Sequence, residues 1–395
     1  MTNPVRFSTR TDWPLARNRL TEAVDQARSK GMKILDLTIS NPTRAGFAQD
    51  ASILHALARP ESLDYDPQPK GLLQAREAVA AYYRDDHGVT LDTEQIILTA
   101  STSEAYSYIF RLLCNPGDEV LVPKPSYPLF DFLAGLQDVK LVPYSLLYDH
   151  GWQMDFPTLE RALTTRTRGV VLVHPNNPTG SFVQTEERAT LNEICSRRGL
   201  ALIVDEVFLD YAHGRGAGPS FSGTFAANPQ ALTFTMSGLS KISSLPQMKL
   251  AWMVVSGPES DTAAALERLD VIADTYLSVS APVQWAAEEM LAARKLLRQQ
   301  LMERVQRNLS ELDRRLASVP SCQRLRVDGG WYAVLRVPAT RSDDDLAVEL
   351  VRQKQVLVHP GHFYDFPSDG YLVLSLIGPE EQFGEGVGKL LEIAD

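Results

Sequence analysis

Between residues 95 and 256, short apolar runs alternate with stretches of helical spacing. The runs at 96–99, 119–122, 140–144, 169–173, 201–204, 232–236 and 252–256 lack strict alternation of polar and apolar positions. That pattern marks strands buried on both faces. The intervening stretches at 103–114, 129–136, 156–163 and 186–198 predict helices, each with apolar residues three or four apart. Such alternation predicts an α/β fold, with a mixed, mostly parallel sheet covered by helices on both faces. Upstream, the pattern predicts helices at 13–30, 52–58 and 72–86 and a short strand at 33–39. Downstream, helices are expected at 259–274 and, as one long stretch, at 283–316. Strands at 325–327, 332–336, 356–358 and 372–376 then mix with helices at 342–354 and 380–393, the pattern of a smaller α+β domain. The expected organisation is an N-terminal arm and helix at 1–45 joining the small domain, a large domain at 46–285 and a small domain at 286–395.

Composition narrows the class. The chain has 395 residues, 44% of them hydrophobic and 22% charged, long enough for two domains and a large core. Its formal charge of −10 comes with no cluster of lysine and arginine, which argues against nucleic acid or an anionic membrane as partner. Cys114, Cys195 and Cys322 lie far apart and match no CxxC spacing. Neither a disulfide framework nor a thiolate metal site is expected. The first twenty residues carry no apolar signal-peptide core, and no run of about 18 apolar residues occurs. A cytoplasmic protein is therefore expected.

Chemistry collects where the strands end, which is where ligands bind in open α/β sheets. Ser101-Thr102-Ser103, Tyr127, Asn177, Asp205 and Lys241 each follow a predicted strand. Taken singly, they have ordinary readings: a surface lysine, a capping carboxylate, a turn asparagine, a hydroxyl cap. Together they match what a Schiff-base lysine and pyridoxal phosphate demand. A carboxylate, Asp205, would keep the ring nitrogen protonated. An amide, Asn177, would donate to the phenolic oxygen. Hydroxyls and free N–H groups at 101–103, with Ser240 and Lys249, would meet the phosphate. An aromatic ring, Tyr127, would stack on the cofactor.

The ordered motifs Asn115-Pro116-Gly117-Asp118-Glu119-Val120, Pro125-Ser126-Tyr127-Pro128, Asn177-Pro178-Thr179-Gly180, Asp205-Glu206-Val207 and Leu239-Ser240-Lys241 add a resemblance. So do Tyr65…Gly71…Arg76, Gly329-Gly330-Trp331-Tyr332 and Val358-His359-Pro360-Gly361. Over nearly its whole length the chain resembles the class I/II, fold type I pyridoxal-phosphate aminotransferases. The resemblance implies a homodimer with shared active sites, in which Tyr65 reaches the partner's phosphate. It also implies an amino donor and a 2-oxo acid as substrates, with Trp331 and His359 bordering them.

Three positions depart from the family pattern. Lys249 stands where arginine holds the phosphate, keeping the charge without the bidentate fork. Phe208 stands where tyrosine usually supports the phenolic oxygen. Val373 stands where arginine usually binds the substrate carboxylate, and Arg44 is the candidate replacement, with a solvated loop arginine as the other reading. These departures leave a lyase, racemase or oxidase on the same fold as the alternative to transamination.

Overall fold

The computed structural model describes residues 5–48, 51–214, 221–227 and 229–394. Its strands in chain order are β1 (Leu35–Asp36), β2 (Ile96–Thr99), β3 (Glu119–Lys124), β4 (Lys140–Tyr148), β5 (Trp152–Met154), β6 (Thr167–Val173) and β7 (Ala201–Asp205). They continue with β8 (Thr233–Gly238), β9 (Ala251–Ser256), β10 (Gln323–Arg324), β11 (Tyr332–Arg336), β12 (Val356–Leu357), β13 (His359–Pro360) and β14 (Tyr371–Ser375). Eight of them form the large sheet in the order β2-β9-β8-β7-β6-β3-β4-β5. Within it β4, β3, β6, β7 and β8 run parallel, while β9 and β5 are antiparallel to their neighbours. The expected mixed, mostly parallel sheet is therefore present.

Its central strands are largely apolar because both faces are covered. Val120, Val122, Val171, Val173 and Ile203 pack on one side with residues of the helices Thr102–Leu113 and Glu259–Asp274. The alternate residues Leu121, Val170, Leu172, Leu202 and Val204 pack on the other, against Leu191, Ile194 and Cys195 of the helix Thr185–Arg198. Successive side chains of a strand point to opposite faces, so each needs an apolar partner.

The small domain holds the antiparallel sheet β10-β11-β14-β13, and the N-terminal β1 pairs in parallel with β12. The N-terminal helix is shorter than expected, Arg19–Ser29. The Asn18 side chain caps it by accepting from the Thr21 N–H, and Leu15, at 85% exposed, has no core to bury against.

The long stretch expected at 283–316 is three helices, Ala281–Trp285, Ala287–Ala292 and Arg294–Leu316. The physical reason is a change of core. Val283, Ala287 and Met290 belong to the large-domain cluster, whereas Leu301, Val305, Leu309 and Leu312 pack into the small-domain cluster. One straight helix presents one stripe, so the chain reorients at Ala286, which leaves helical geometry at φ −92° and ψ 6°. The start of the third helix is tied back to the large domain. Arg294 makes a bidentate pair with Asp86, and Arg298 lies 3.4 Å from both Asp86 and Asp210.

Candidate active site

The carboxyl ends of β2, β3, β6, β7 and β8 open on one edge of the sheet, and a cavity of about 250 Å³ lies there. Ser101, Thr102, Ser103, Tyr127, Asn177, Asp205, Phe208, Ser240, Lys241 and Lys249 all line it. The fold brings these together because each strand is short and ends at the same height, so every following turn faces its neighbour's.

Lys241 sits in a one-turn helix, Leu239–Ile242, directly after β8. A single turn does not hold itself. Here the Leu239 N–H donates to the Leu250 carbonyl, and the Tyr211 hydroxyl donates to the Lys241 carbonyl at 2.6 Å. Gly238 lets β9 approach, since a Cβ there would meet the Ala251 Cβ at 2.8 Å. The Lys241 Nζ lies 5.3 Å from the centroid of the buried Trp331 ring and 5.8 Å from that of Phe208. Burial pushes the Lys241 amine below its usual pKa, against the pull of the Asp205 charge. That shift favours the neutral, nucleophilic amine.

Asp205 ends β7. Burial pushes its carboxyl up to about 6, opposed by the Val207 N–H, the Lys241 charge and the Tyr106 hydroxyl. Val207 N–H donates to Oδ1 at 3.1 Å, and the Tyr106 hydroxyl reaches Oδ2 at 3.5 Å. Glu206 turns away, accepting from the Thr224 hydroxyl and the Phe225 N–H. Two adjacent carboxylates thus serve different ends: Asp205 faces the cavity, and Glu206 secures the loop behind it.

Asn177 is buried, and its Oδ1 has no hydrogen-bond partner. A buried oxygen of this kind calls for a donor, and turning the amide end for end would present its N–H2 to the cavity instead. Ser101 caps the helix Thr102–Leu113, its hydroxyl accepting from the Glu104 N–H. The first N–H groups of such a helix lack intrahelical partners and favour an anion. Ser240 and Lys249 line the same cavity. Lys249 has a positive φ of 57°, an uncommon backbone state for a side-chain-bearing residue. An unpaired amide, a buried carboxylate facing the cavity, and a hydroxyl and N–H cluster beside a lysine together fit pyridoxal phosphate.

A model of the family described as aminotransferase class I and II matches residues 32–389. The chain belongs to the class I and II aminotransferases. It is 26% identical over 368 residues to the glutamate-pyruvate aminotransferase AlaA of Haemophilus influenzae, covering 91% of this chain and 90% of that protein. It is 27% identical over 356 residues to the alanine aminotransferase of Mycobacterium tuberculosis, covering 88% of this chain and 82% of the relative. Among solved structures, an aminotransferase from Escherichia coli superposes with a TM-score of 0.86 at 25% identity, covering 99% of this chain and 98% of that one. The alanine aminotransferase from Pyrococcus furiosus has the same fold, with a TM-score of 0.89 at 23% identity, covering 98% of this chain and 99% of that one. The protein is a pyridoxal-phosphate-dependent aminotransferase of fold type I.

The remaining expected site residues of this aminotransferase lie outside the cavity lining. Trp331 is fully buried beneath Lys241. His359 is half-buried, its Nδ1 3.0 Å from the Tyr364 hydroxyl. Arg44 is exposed at the end of the turn Pro42–Arg44, so the structure does not bring the expected replacement cation into the site. Tyr65 is 81% exposed, in a groove with Ser278 and Val279 away from the cavity. Conversely, Ser40, Phe130, Val207 and Tyr332 line the cavity, and Tyr211 supports Lys241 from outside it. Ser40 and Tyr332 carry a faint sequence signal, since each follows or opens a predicted strand. Tyr211 carries none, because its role is to hold a backbone carbonyl 30 residues away.

Proposed function

We propose that this aminotransferase carries its cofactor on Lys241 and moves an amino group between an amino acid and a 2-oxo acid. The observation that supports this most is the facing pair Lys241 and Asp205 in one cavity, the amine lowered and the carboxylate raised by burial. Bound pyridoxal phosphate supplies an aldehyde to take the amino group and a cationic ring to draw electrons from the substrate Cα. Asp205 holds the positive charge at the ring nitrogen, which in turn restores the ionised state of its own carboxyl. Asn177 donates to the phenolic oxygen, without help from position 208, where Phe208 has no hydroxyl. Tyr127 covers the ring face. The N–H groups and hydroxyls at 101–103, Ser240 and Lys249 hold the phosphate. Lys241 Nζ would act as base toward the proton on the substrate Cα and then as acid, handing that proton back from the same face. Its buried, lowered amine suits that work near neutral pH.

The same reading carries the division into a large domain at 46–285 and a small domain at 286–395, with 1–45 joining the latter. It also carries a cytoplasmic homodimer in which Tyr65 serves the partner's site. Exposed Leu63, Tyr65, Leu73 and Tyr276 favour such an interface. No helix among the described residues is long and apolar enough to cross a membrane. The names of the relatives point to alanine, glutamate and pyruvate as first substrates to try.

Replacing Lys241 with Ala tests the assignment. Borohydride reduction of the wild-type holoenzyme should fix the cofactor to a peptide containing Lys241, and Lys241→Ala should lose both that label and transamination. A label on another lysine, or retained turnover in Lys241→Ala, defeats the reading.

A further inference from the structure

Position 373 is an apolar residue where the family pattern has arginine. Val373 lies on β14, 1% exposed, in register with Val334 of β11 and His359 of β13. Paired residues across antiparallel strands share a face, and alternate residues of one strand share it too. Tyr332, Val334, Val373 and Ser375 therefore point the same way, and Tyr332 lines the cavity. Val334 and Val373, next to Tyr332 and Ser375 on that face, are buried apolar residues of the small-domain core and offer no polar group.

The polar groups on this side are hydroxyls. Ser375 donates its N–H to the Leu37 carbonyl at 2.7 Å and its hydroxyl to the Ile39 carbonyl. That clamp sets the next residue, Ser40, into the cavity, which Tyr332 also lines. Behind them the Tyr364 hydroxyl bonds His359, and the Tyr364 carbonyl accepts from the Ser126 N–H beside Tyr127. Burial holds His359 below its usual pKa, so it is neutral at neutral pH, Asp36 opposing the shift. Among the described residues, the cations lining the cavity are Lys241 and Lys249, and both belong to the cofactor half.

We propose that Ser40 and Tyr332 bind the carboxylate of the substrate through their hydroxyls, in place of a guanidinium. This rests on the cavity being the aminotransferase site. Donors directed at a carboxylate favour its charged form, and hydrogen bonds to an ionised acceptor are the stronger kind. Phenol and serine hydroxyls each supply one donor and rotate to suit. The site takes substrates with a carboxylate at this end and holds them more loosely than a bidentate arginine does.

The test is a titration of the holoenzyme with propionate, followed by the visible absorbance of the cofactor, alongside a titration with 1-propylamine, which has no carboxylate. Tyr332→Phe and, separately, Ser40→Ala should weaken propionate about tenfold and change 1-propylamine less than about twofold. Retained cofactor absorbance shows that each variant is folded. Unchanged propionate affinity in either variant, or an equal loss for 1-propylamine, overturns the proposal. Borohydride labelling of the same samples keeps the two readings apart. A label on Lys241 with unchanged propionate affinity removes only the carboxylate site, whereas a label elsewhere removes the site assignment itself.

Discussion

At the scale of single residues, Asp205 shows how a functional site works against stability. Its carboxyl is raised from 3.8 to about 6 by burial, so the folded, cofactor-free protein holds a proton there that the unfolded chain releases. The folded state binds more protons between those two values, so this group's contribution to stability falls as pH rises through that window. Above it, a shift of about two units corresponds to a cost of about 3 kcal/mol. Asp205→Asn keeps the acceptor for the Val207 N–H and removes the cost. The cofactor-free variant should therefore melt higher than the cofactor-free parent at pH 7.5, and the difference should vanish near pH 4. Thermal unfolding at the two pH values checks this, and a variant less stable at pH 7.5 contradicts it. The same substitution should weaken cofactor binding, because the ring nitrogen loses its counter-charge.

At the scale of elements, the helix Leu239–Ile242 is one turn whose position is set by its neighbours. Tyr211 is the neighbour with the most direct hold. Its hydroxyl donates to the Lys241 carbonyl, and its own carbonyl accepts from the Gly330 N–H at 2.8 Å. Its ring packs edge-on against Trp331, with centroids 5.2 Å apart. The lysine and the aromatic floor beneath it are thus fixed by one side chain. Tyr211→Phe keeps the ring and loses the donor. The expected result is a kcat about tenfold lower with the KM for the amino donor within a factor of about two, since a misplaced amine slows proton transfer more than it weakens binding. Equal changes in kcat and KM would mean that Tyr211 acts on the pocket as a whole. A second element-scale contact joins the two domains. Gly180, at φ 67°, packs so close to the small-domain chain that a Cβ would lie 2.4 Å from the Gly329 carbonyl oxygen. The loop carrying Asn177 thus abuts the segment that leads to Trp331 and Tyr332.

At the scale of the whole molecule, the proposed homodimer makes a prediction that a monomer cannot meet. Tyr65 would serve one site and Lys241 the other. Mixed and reassembled, inactive Tyr65→Ala and Lys241→Ala dimers should form hybrids with one intact site, recovering about a quarter of wild-type activity. Gel filtration gives the assembly state, and no recovery on mixing would place Tyr65 in its own subunit's site or in none.

Much of this architecture is written in the local sequence. The seven apolar runs between 95 and 256 all fall in strands, because strands covered on both faces bury apolar side chains on each of them. Lys241, Asp205, Asn177 and the 101–103 hydroxyls were legible as a set because a parallel sheet delivers strand ends to one edge. The short edge strand β5 was not legible, since it pairs only with β4 and carries little apolar signal. Tertiary structure alone decided the rest. It split the stretch at 283–316, because its halves serve different cores. It left Arg44 in solvent and sealed Val373 into the small-domain wall, since a side chain's direction depends on what its strand packs against. It brought Ser40, Tyr332 and Tyr211 to the site through contacts between residues far apart in the chain. The sequence alone determined the sheet and which groups gather at its strand ends in one cavity, since each follows its own strand. The placing of Ser40 and Tyr332 in the same cavity depends on how distant segments meet, and no local pattern encodes that.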